Sequence, residues 1–337
     1  MKISVVIGRF QPFHNGHLHL VRKALQETDR LIIVLGSSNR SRSVKNPYTV
    51  SERKRMILSS LRDISPRKEI FFVESPDNLY KEWSWKAEIV RRVNDLIPSG
   101  VKRQIFLYGH TKDDSSYYLK EFPEWKYVEV DSEECIDATN IRNAMYVDHW
   151  GFENIVPEKV YEFLQEFATT DTFSDILEEH EFFEEEKRKF DSYPHPETLN
   201  FICSDAVVVC KGHIVLVKRK HAPGKNTWAL PGGFKERTET LLDCAIRELQ
   251  EETNIRVPEK VLRGSIRDHH MFDHPMRSGG IQRLSMAYYI DVRTNPDGSL
   301  PELRPASDAL EVQWVELSDA MSRNLFEDHL DIIQYFI

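Results

Sequence analysis

The first half of the chain alternates short apolar runs with segments of helical periodicity. Apolar side chains recur at helical spacing in 18–25 and again in 85–96. The apolar runs between these segments, each short enough for a strand, are 3–7, 31–35, 70–73, 104–108 and 126–130. Strands that alternate with helices predict an α/β fold with a Rossmann-like, doubly wound parallel sheet. Ligands of such a sheet bind beyond the carboxyl ends of its strands.

The second half begins after a change of composition. Residues 169–200 are dense in charge, and the prolines at 194 and 196 break any helix. We therefore predict a domain over 1–168, a charged linker with a solvent-facing helix over 169–200, and a second domain over 201–337. In the second domain, apolar runs at 206–209 and 214–217 bracket Lys211-Gly212-His213, which predicts a hairpin. Further strand signals flank an acidic helix, so this domain is predicted to be α+β.

The acidic helix of the second domain carries candidate metal ligands. Residues 241–252 contain no glycine or proline, and Glu248 and Glu252 are four residues apart, on one helix face, with Glu251 beside them. Carboxylates so placed repel one another unless a cation lies between them. Mg²⁺ prefers carboxylate oxygens and keeps waters that suit a diphosphate. Arg247 and Glu239 are expected to form an ion pair between the helix and the preceding loop, whereas the alternative is a solvated acidic face.

This segment resembles a known motif. The pattern G-x5-E-x7-R-E-L-Q-E-E, which begins at Gly233 and follows the Trp-Ala-Leu-Pro-Gly segment that starts at position 228, resembles the Nudix box. Residues 201–337 are therefore similar to a Nudix hydrolase domain. The resemblance implies that Glu248, Glu252 and the Gly232 carbonyl bind Mg²⁺, with Mn²⁺ as an alternative, and that Glu251 assists catalysis. Asn254 stands where the family has glycine, and asparagine is the non-glycine residue that best tolerates the left-handed conformation expected there.

A second constellation follows the first predicted strand. Residues 8–18 read Gly-Arg-Phe-Gln-Pro-Phe-His-Asn-Gly-His-Leu, which places His14 and His17 at the start of a helix. The free N–H groups and the dipole of a helix N-terminus favour anions, so both imidazoles can donate to a polyphosphate. Capping or core histidines are the alternative reading. The glycine spacing is not that of the dinucleotide-binding fingerprint.

The histidine motif resembles the HxGH nucleotidyltransferase superfamily. A second segment, Thr139-Asn140-Ile141-Arg142, opens a predicted helix late in the same domain, as that family requires. The resemblance implies that Thr139 and a basic residue bind the phosphates of ATP, which is a substrate, and that His14, His17 and Arg142 are catalytic. Such chemistry needs no protein nucleophile, because it relies on positioning and on neutralisation of developing charge.

Further residues are similar to the archaeal-type nicotinamide mononucleotide adenylyltransferases. The resemblance rests on the first motif, on Gly36-Ser37-Ser38 and on the segment 46–53. It implies a tryptophan that stacks on nicotinamide, for which Trp85 aligns best and Trp83 is next, with packing of a helix as the alternative for both. The other residues assigned to nucleotide binding on this ground are Gly8, Arg9, Phe10, Lys45, Tyr108 and Gly109.

Together, the two halves resemble bifunctional nicotinamide mononucleotide adenylyltransferase/ADP-ribose pyrophosphatase proteins. Segments 272–278 and 308–315 are similar to ADP-ribose-cleaving Nudix members, which implies that Arg277 and Arg283 grip the terminal ribose phosphate. The expected partners are ATP, nicotinamide mononucleotide and ADP-ribose. Two alternatives stay open: an adenylyltransferase or cytidylyltransferase of another phosphate such as phosphopantetheine, and a Nudix domain that cleaves a different nucleoside diphosphate derivative or only senses ADP-ribose.

Composition and charge limit the partners and the cellular compartment that we expect. The formal net charge of −9 argues against a broad basic surface for nucleic acid. No apolar run reaches transmembrane length and none has the pattern of a signal peptide, so we expect no membrane partner. Four cysteines without metal-site spacing indicate reduced thiols, which favours a cytoplasmic enzyme. The sequence leaves a homo-oligomer open.

Overall fold

The structure of the chain is a computed structural model that describes residues 1–28, 30–62, 68–98, 100–110, 119, 121–131, 136–305 and 309–337. These residues form two compact units, Met1–Leu177 and Glu178–Ile337. No helix of the described ranges is long and apolar enough to cross a membrane.

The first unit is built on a parallel sheet of five strands in the order β3-β2-β1-β4-β5. Its elements are β1 Lys2–Gly8, α1 Asn15–Glu27, β2 Arg30–Leu35, α2 Val50–Leu61, β3 Glu69–Glu74, α3 Glu82–Asp95, β4 Gln104–Gly109, β5 Lys126–Glu129, α4 Ala138–Tyr146 and α5 Glu158–Ala168. All five predicted strands are confirmed. Strand order reverses between β1 and β4, which is where such sheets bind ligands.

Both faces of this sheet are buried. Side chains of successive strand residues point to opposite faces, so Val6 and Ile33 belong to one hydrophobic cluster while Val5 and Ile32 belong to another. Helices cover both clusters, and strands buried on two sides read as continuous apolar runs rather than alternating ones. This is why the strands were recognisable in the sequence.

The charge-dense segment forms a long helix, α6 Asp171–Phe190. The two compact units divide within it, after Leu177. The predicted helix therefore exists, but one of its sides is packed: Phe173 belongs to the core of the first unit, and Phe183 lies against Gly279 and Gly280 in the second. The predicted boundaries at 168 and 201 stay predictions.

The second unit is built on a mixed sheet. Its path runs β10-β11-β6-β7-β12, with β8 paired to β7 and β9 to β6. The elements are β6 Phe201–Cys210, β7 His213–Arg219, β8 Trp228–Ala229, β9 Gly232–Phe234, α7 Leu241–Thr253, α8 Glu259–Gly264, β10 Ile266–Phe272, β11 Arg283–Asp291, β12 Ala309–Glu316, α9 Leu317–Ala320 and α10 His329–Phe336. The predicted hairpin is confirmed, because β6 and β7 pair antiparallel around Lys211 and Gly212, both at positive φ as a two-residue hairpin turn requires.

Candidate active sites

The loop that leaves β1 ends at a capped helix. His14 is the N-cap of α1, and it shares a reciprocal capping box with His17: the backbone N–H of each residue donates to Nδ1 of the other, at 3.4 Å. The two rings stack with centroids 3.6 Å apart. Gly16 leaves room for this arrangement, since a Cβ there would lie 3.1 Å from the His14 ring. The predicted placement of both histidines at a helix start is confirmed.

Burial sets the charge of the second histidine. It lowers the pKa of His17 well below its ordinary value, and the neighbouring His14 acts in the same direction. At neutral pH the ring is therefore uncharged. Because its Nδ1 accepts a hydrogen bond, the ring hydrogen resides on Nε2. The capping reading and the catalytic one are thus compatible, since Nδ1 serves the helix and Nε2 carries the hydrogen, while a hydrogen bond with the Pro12 backbone acts on the pKa in the opposite direction.

Two buried polar side chains hold the loop between β1 and α1. Gln11 exchanges two hydrogen bonds with the backbone of Tyr48. Arg53 donates to the carbonyls of Arg9 (2.8 Å) and Gly36 (2.6 Å), and burial lowers its pKa to about 10. Sequence reasoning missed Gln11 and Arg53 as supports of the site, although both lie in motifs that carried the family resemblance.

The second predicted segment reaches the same loop. Asp137 is the N-cap of α4 and accepts from the Thr139 N–H at 2.8 Å, so the predicted helix start is confirmed. Arg142 donates to the Gln11 carbonyl, to the Val44 carbonyl at 3.1 Å and to the Thr139 hydroxyl at 3.2 Å. Its contacts in the described part of the chain are with neutral oxygens, and burial lowers its pKa. Its positive charge is therefore not cancelled by an ion pair there.

These parts surround one cavity of about 820 Å³ at the carboxyl ends of β1 and β4. The predicted site residues that line it are Gly8, Arg9, Phe10, His14, His17, Gly109, Thr139 and Arg142. A cavity of this size and polarity suits a nucleotide. The two motifs, more than a hundred residues apart in the sequence, thus meet in one space.

The remaining residues predicted for this site lie elsewhere. Tyr108 is buried in the core, where its hydroxyl donates to Glu27 at 3.1 Å. Trp85 packs half-buried against the second hydrophobic cluster, 6.4 Å from the Phe122 ring, as its alternative reading expected. Lys45 is half-buried and is not part of the cavity lining. The side chain of Trp83 is outside the described ones. The roles predicted for these residues stay predictions.

In the second unit, the acidic helix forms as predicted. Thr240 caps α7 in a reciprocal box with Asp243, and Asn254 ends the helix in the left-handed conformation, at φ 43°. The ion pair expected between Arg247 and Glu239 is confirmed by two bonds of 2.8 and 3.0 Å. That contact lowers the pKa of Glu239 to about 2. The left-handed asparagine confirms that the box closes without the family's glycine.

The two glutamates among the three predicted metal ligands lie against the glycine strand β9. The Gly232 N–H donates to Glu252 at 3.2 Å, and a Cβ on Gly233 would lie 2.5 Å from Glu248 Oε1. Glycine is therefore required at 233 to let the carboxylate approach. Burial raises the pKa of both carboxyls, that of Glu252 to about 8, and the nearby charges of Glu248 and Asp205 contribute to the latter shift.

The donor set of this site suits a hard divalent cation. Glu248 and Glu252 are half-buried carboxyl groups whose ionised forms are disfavoured, and Glu252 accepts from the Gly232 N–H. Mg²⁺ or Mn²⁺ would stabilise the ionised form of both. In the described ranges, no three His, Cys, Asp or Glu side chains are gathered at metal-binding distance. Arg247 instead donates to both Glu248 and Glu251, at 2.8 Å each. Glu251 is largely exposed.

The two predicted phosphate-gripping arginines have carboxylate partners. Arg277 forms two bonds of 2.9 Å with Asp328, and both side chains are buried. Arg283 donates to Glu186 of α6 at 2.6 Å, and both of these are buried as well. Internal ion pairs favour a structural role for both arginines, and their binding role stays a prediction. Asp308, part of the segment that suggested ADP-ribose, lies outside the described residues.

Comparison with known proteins agrees with this geometry. Residues 203–336 match the NUDIX domain family, and residues 5–144 match the family described as Cytidylyltransferase-like. A nicotinamide/nicotinic acid mononucleotide adenylyltransferase of Acinetobacter baylyi is 38% identical over 177 residues, which are 52% of this chain and 92% of that protein.

Two solved structures match almost the whole chain. One is a bifunctional NMN adenylyltransferase/ADP ribose pyrophosphatase from Francisella tularensis, 36% identical with a TM-score of 0.89, covering 99% of this chain and 98% of the other. The second, with the same description and organism, is complexed with AMP and a manganese ion; it is 34% identical with a TM-score of 0.86 and the same coverage. Since both motif sets and both domains match over this length, the chain belongs to the family of bifunctional NMN adenylyltransferase/ADP-ribose pyrophosphatase proteins.

Proposed function

We propose that the first unit joins ATP and nicotinamide mononucleotide to give NAD and pyrophosphate. The observation that carries this proposal is the single cavity in which the His14–His17 pair and the Thr139–Arg142 pair meet. We propose that the second unit hydrolyses ADP-ribose to AMP and ribose 5-phosphate. The second reaction would clear ADP-ribose that forms when NAD is consumed.

The first reaction needs no nucleophile from the protein. A phosphate oxygen of nicotinamide mononucleotide attacks the α-phosphorus of ATP, and the bond to the pyrophosphate oxygen breaks. The task of the chain is to hold both phosphates in line and to stabilise the charge that moves onto the leaving group. The uncharged ring of His17 supplies an Nε2–H donor, and Arg142 supplies a buried positive charge.

The second reaction is attributed to the Nudix helix. Glu248, Glu252 and the Gly232 carbonyl would hold Mg²⁺, which when bound would neutralise the diphosphate and activate water. Among the chain's own groups, Arg247 fixes the helix to the preceding loop through Glu239. Gly233 gives Glu248 the room to approach β9.

Mass spectrometry of reaction products tests both proposals. Purified protein would be given Mg²⁺, ATP and nicotinamide mononucleotide, and separately ADP-ribose. NAD in the first mixture and AMP with ribose 5-phosphate in the second are the expected products. ADP-ribose that binds but is not cleaved would instead support a sensor role for the Nudix unit, and CTP in place of ATP tests the cytidylyltransferase alternative.

Nicotinic acid mononucleotide is a second acceptor to test in the same assay. The Acinetobacter baylyi relative is named for both nicotinamide and nicotinic acid mononucleotide. The two differ by an amide against a carboxylate, so a competition between equal concentrations measures the preference directly. A product ratio near one would support a dual acceptor, and a strong excess of NAD would support the amide as the intended substrate.

A further inference from the structure

Two turns of the first unit each contain a residue that is left-handed although it is not a glycine. Phe10, after β1, has φ 53°, and Ser37, after β2, has φ 51°. A side chain disfavours this conformation, most of all a bulky one. Such residues persist where the surrounding structure imposes them, and they concentrate at functional sites. Both turns follow the carboxyl ends of neighbouring parallel strands, the edge at which such a sheet binds ligands.

Arg53 of α2 contacts both turns at once. Its Nη1 donates to the Arg9 carbonyl at 2.8 Å and to the Gly36 carbonyl at 2.6 Å. Each of these carbonyls belongs to the peptide group that precedes a left-handed residue. The side chain is buried, and its Nε donates to the Thr49 carbonyl at 3.4 Å. One nitrogen atom thus fixes the distance between the two turns.

The two turns also contact each other. The Gly36 N–H donates to the Gly8 carbonyl at 3.0 Å. A Cβ on Gly36 would lie 3.6 Å from Arg9 Cγ, so the aliphatic part of the Arg9 side chain packs over the second turn. The Ser37 N–H donates to the Asp77 carboxylate at 3.1 Å. A displacement of the second turn would therefore move Arg9, one of the residues predicted to bind nucleotide.

Phe10 connects the first turn to the histidine pair. A Cβ on Gly8 would lie 2.9 Å from Phe10 Cζ, so the ring folds back over the end of β1. The centre of the Phe10 ring lies 4.9 Å from that of His17, and the two rings meet edge to face at 68°. Gly8, Arg9, Phe10 and His17 all line the cavity of this unit. The backbone conformation at Phe10 therefore helps to set the position of the His17 ring.

We propose that Arg53 is a positioning residue for adenylyl transfer, which fixes the turns after β1 and β2 so that Arg9 and His17 keep their orientation in the cavity. The inference rests on the proposed synthesis of NAD. Arg53 does not line the cavity, so it acts through the backbone of Arg9 and the ring of Phe10. A misplacement of about 1 Å that originates far from the reacting atoms can lower a rate on the order of 100-fold, so orientation alone is a sufficient effect.

The test compares Arg53→Gln and Arg53→Lys with a matched control in the full-length chain. Glutamine is neutral and too short to reach both turns, whereas lysine keeps the charge on a shorter side chain without the planar fork. Arg55→Gln is the control, because Arg55 lies on the same helix with its side chain 65% exposed, in a 3.4 Å ion pair with Glu166. For each protein, kcat and both KM values for NAD synthesis are measured over a range of temperatures below the midpoint of thermal unfolding.

We expect Arg53→Gln to lower kcat for NAD synthesis by roughly 10- to 100-fold at every temperature at which the variant is folded. The KM values for ATP and nicotinamide mononucleotide change by less than about threefold, since alignment matters most in the transition state. Arg53→Lys falls between wild type and the glutamine variant, and Arg55→Gln stays near wild type. ADP-ribose hydrolysis by the second unit is unchanged in all of them.

Four results would overturn the inference. The first is a folded Arg53→Gln protein whose kcat stays within about threefold of wild type. The second is a loss of kcat that disappears on cooling, because Arg53 would then only stabilise the fold. If the glutamine variant does not fold, a lysine variant with wild-type kcat is the third, and failure of both variants to fold is the fourth. A wild-type chain that forms no NAD would overturn the proposed synthesis itself, so the two failures are distinguishable.

Discussion

At the scale of single residues, the His14–His17 pair combines two tasks in one short motif. Each ring accepts the backbone N–H of the other residue, which satisfies two N–H groups that a helix start leaves without partners. The stacked rings are thereby fixed before any ligand arrives. A donor that is already oriented loses little entropy in the transition state, so it can stabilise charge efficiently.

Replacing His17 by alanine should therefore impair the first reaction without unfolding the unit. We expect kcat for NAD synthesis to fall by on the order of 100-fold, since an oriented charge-stabilising donor is removed. Steady-state kinetics with ATP and nicotinamide mononucleotide measure this. ADP-ribose hydrolysis by the same variant is the control and should be unchanged. A synthesis rate within about threefold of wild type would exclude a catalytic role for His17, given what such donors contribute.

The raised pKa of Glu252 makes the stability of the metal-free second unit depend on pH. Its pKa is raised from the ordinary 4.5 to about 8, so between these values the metal-free native state holds a proton that the unfolded chain has released. Stability attributable to this group therefore falls as pH rises from 4.5 to 8 and stays low above 8. We expect Glu252→Gln to abolish this loss: in EDTA the variant unfolds at a higher temperature than wild type at pH 8.5, and the advantage shrinks at pH 5.

The same variant should lose ADP-ribose hydrolysis in Mg²⁺, because a carboxylate ligand has become a neutral amide. Increased stability with decreased activity distinguishes a metal ligand from a solvated acidic face, which predicts no loss of activity. Thermal melts and a hydrolysis assay on one preparation decide the matter. Full hydrolysis by well-folded Glu252→Gln would remove the metal-binding role.

At the scale of elements, the end of α7 depends on one backbone conformation. Asn254 has φ 43° and ψ 36°, a region in which a Cβ is disfavoured and asparagine is tolerated. Asn254→Ala should lower the free energy of unfolding of this unit by about 1–2 kcal/mol, and Asn254→Gly should restore most of it. Denaturant unfolding of the two variants checks this. Equal stability of alanine and glycine variants would show that the left-handed conformation is not populated in solution.

The elements also show what the sequence could and could not predict. The five parallel strands were predictable because burial on both sheet faces leaves a local pattern in the sequence. Helix α7 was predictable because helix capping and the spacing of its residues also leave a local pattern. The partners of Arg277 and Arg283 were not, since Asp328 and Glu186 are distant in sequence and any carboxylate could have served. Tyr108 was placed in the site by the family resemblance, yet its side chain is buried in the hydrophobic cluster that also contains Val6 and Ile33. Local patterns predict elements, while side-chain pairing depends on tertiary contacts.

At the scale of the molecule, α6 belongs to both compact units. Glu186 of this helix binds Arg283 and accepts from the Ile281 N–H at 3.1 Å. A fragment 201–337, cut at the predicted boundary, would leave Arg283 buried without its carboxylate. We expect it to be less stable than fragment 178–337 by about 3–5 kcal/mol, the cost typical of an uncompensated buried charge. Chemical unfolding of the two fragments measures the difference, and equal stabilities would show that the helix contributes nothing to the Nudix fold.

The shared helix has a consequence for how such fused genes can evolve. Recombination that exchanges one enzyme of the pair succeeds most easily where a crossover leaves both parts intact. Here Phe173 is needed by the part encoded upstream, while Phe183 and Glu186 are needed by the part encoded downstream. If a crossover falls after the helix, the incoming hydrolase loses the contacts of Phe183 and Glu186. If it falls before the helix, the synthase loses the packing of Phe173. A crossover within the helix, between Phe173 and Phe183, would by contrast leave each enzyme with the side chains that pack against it.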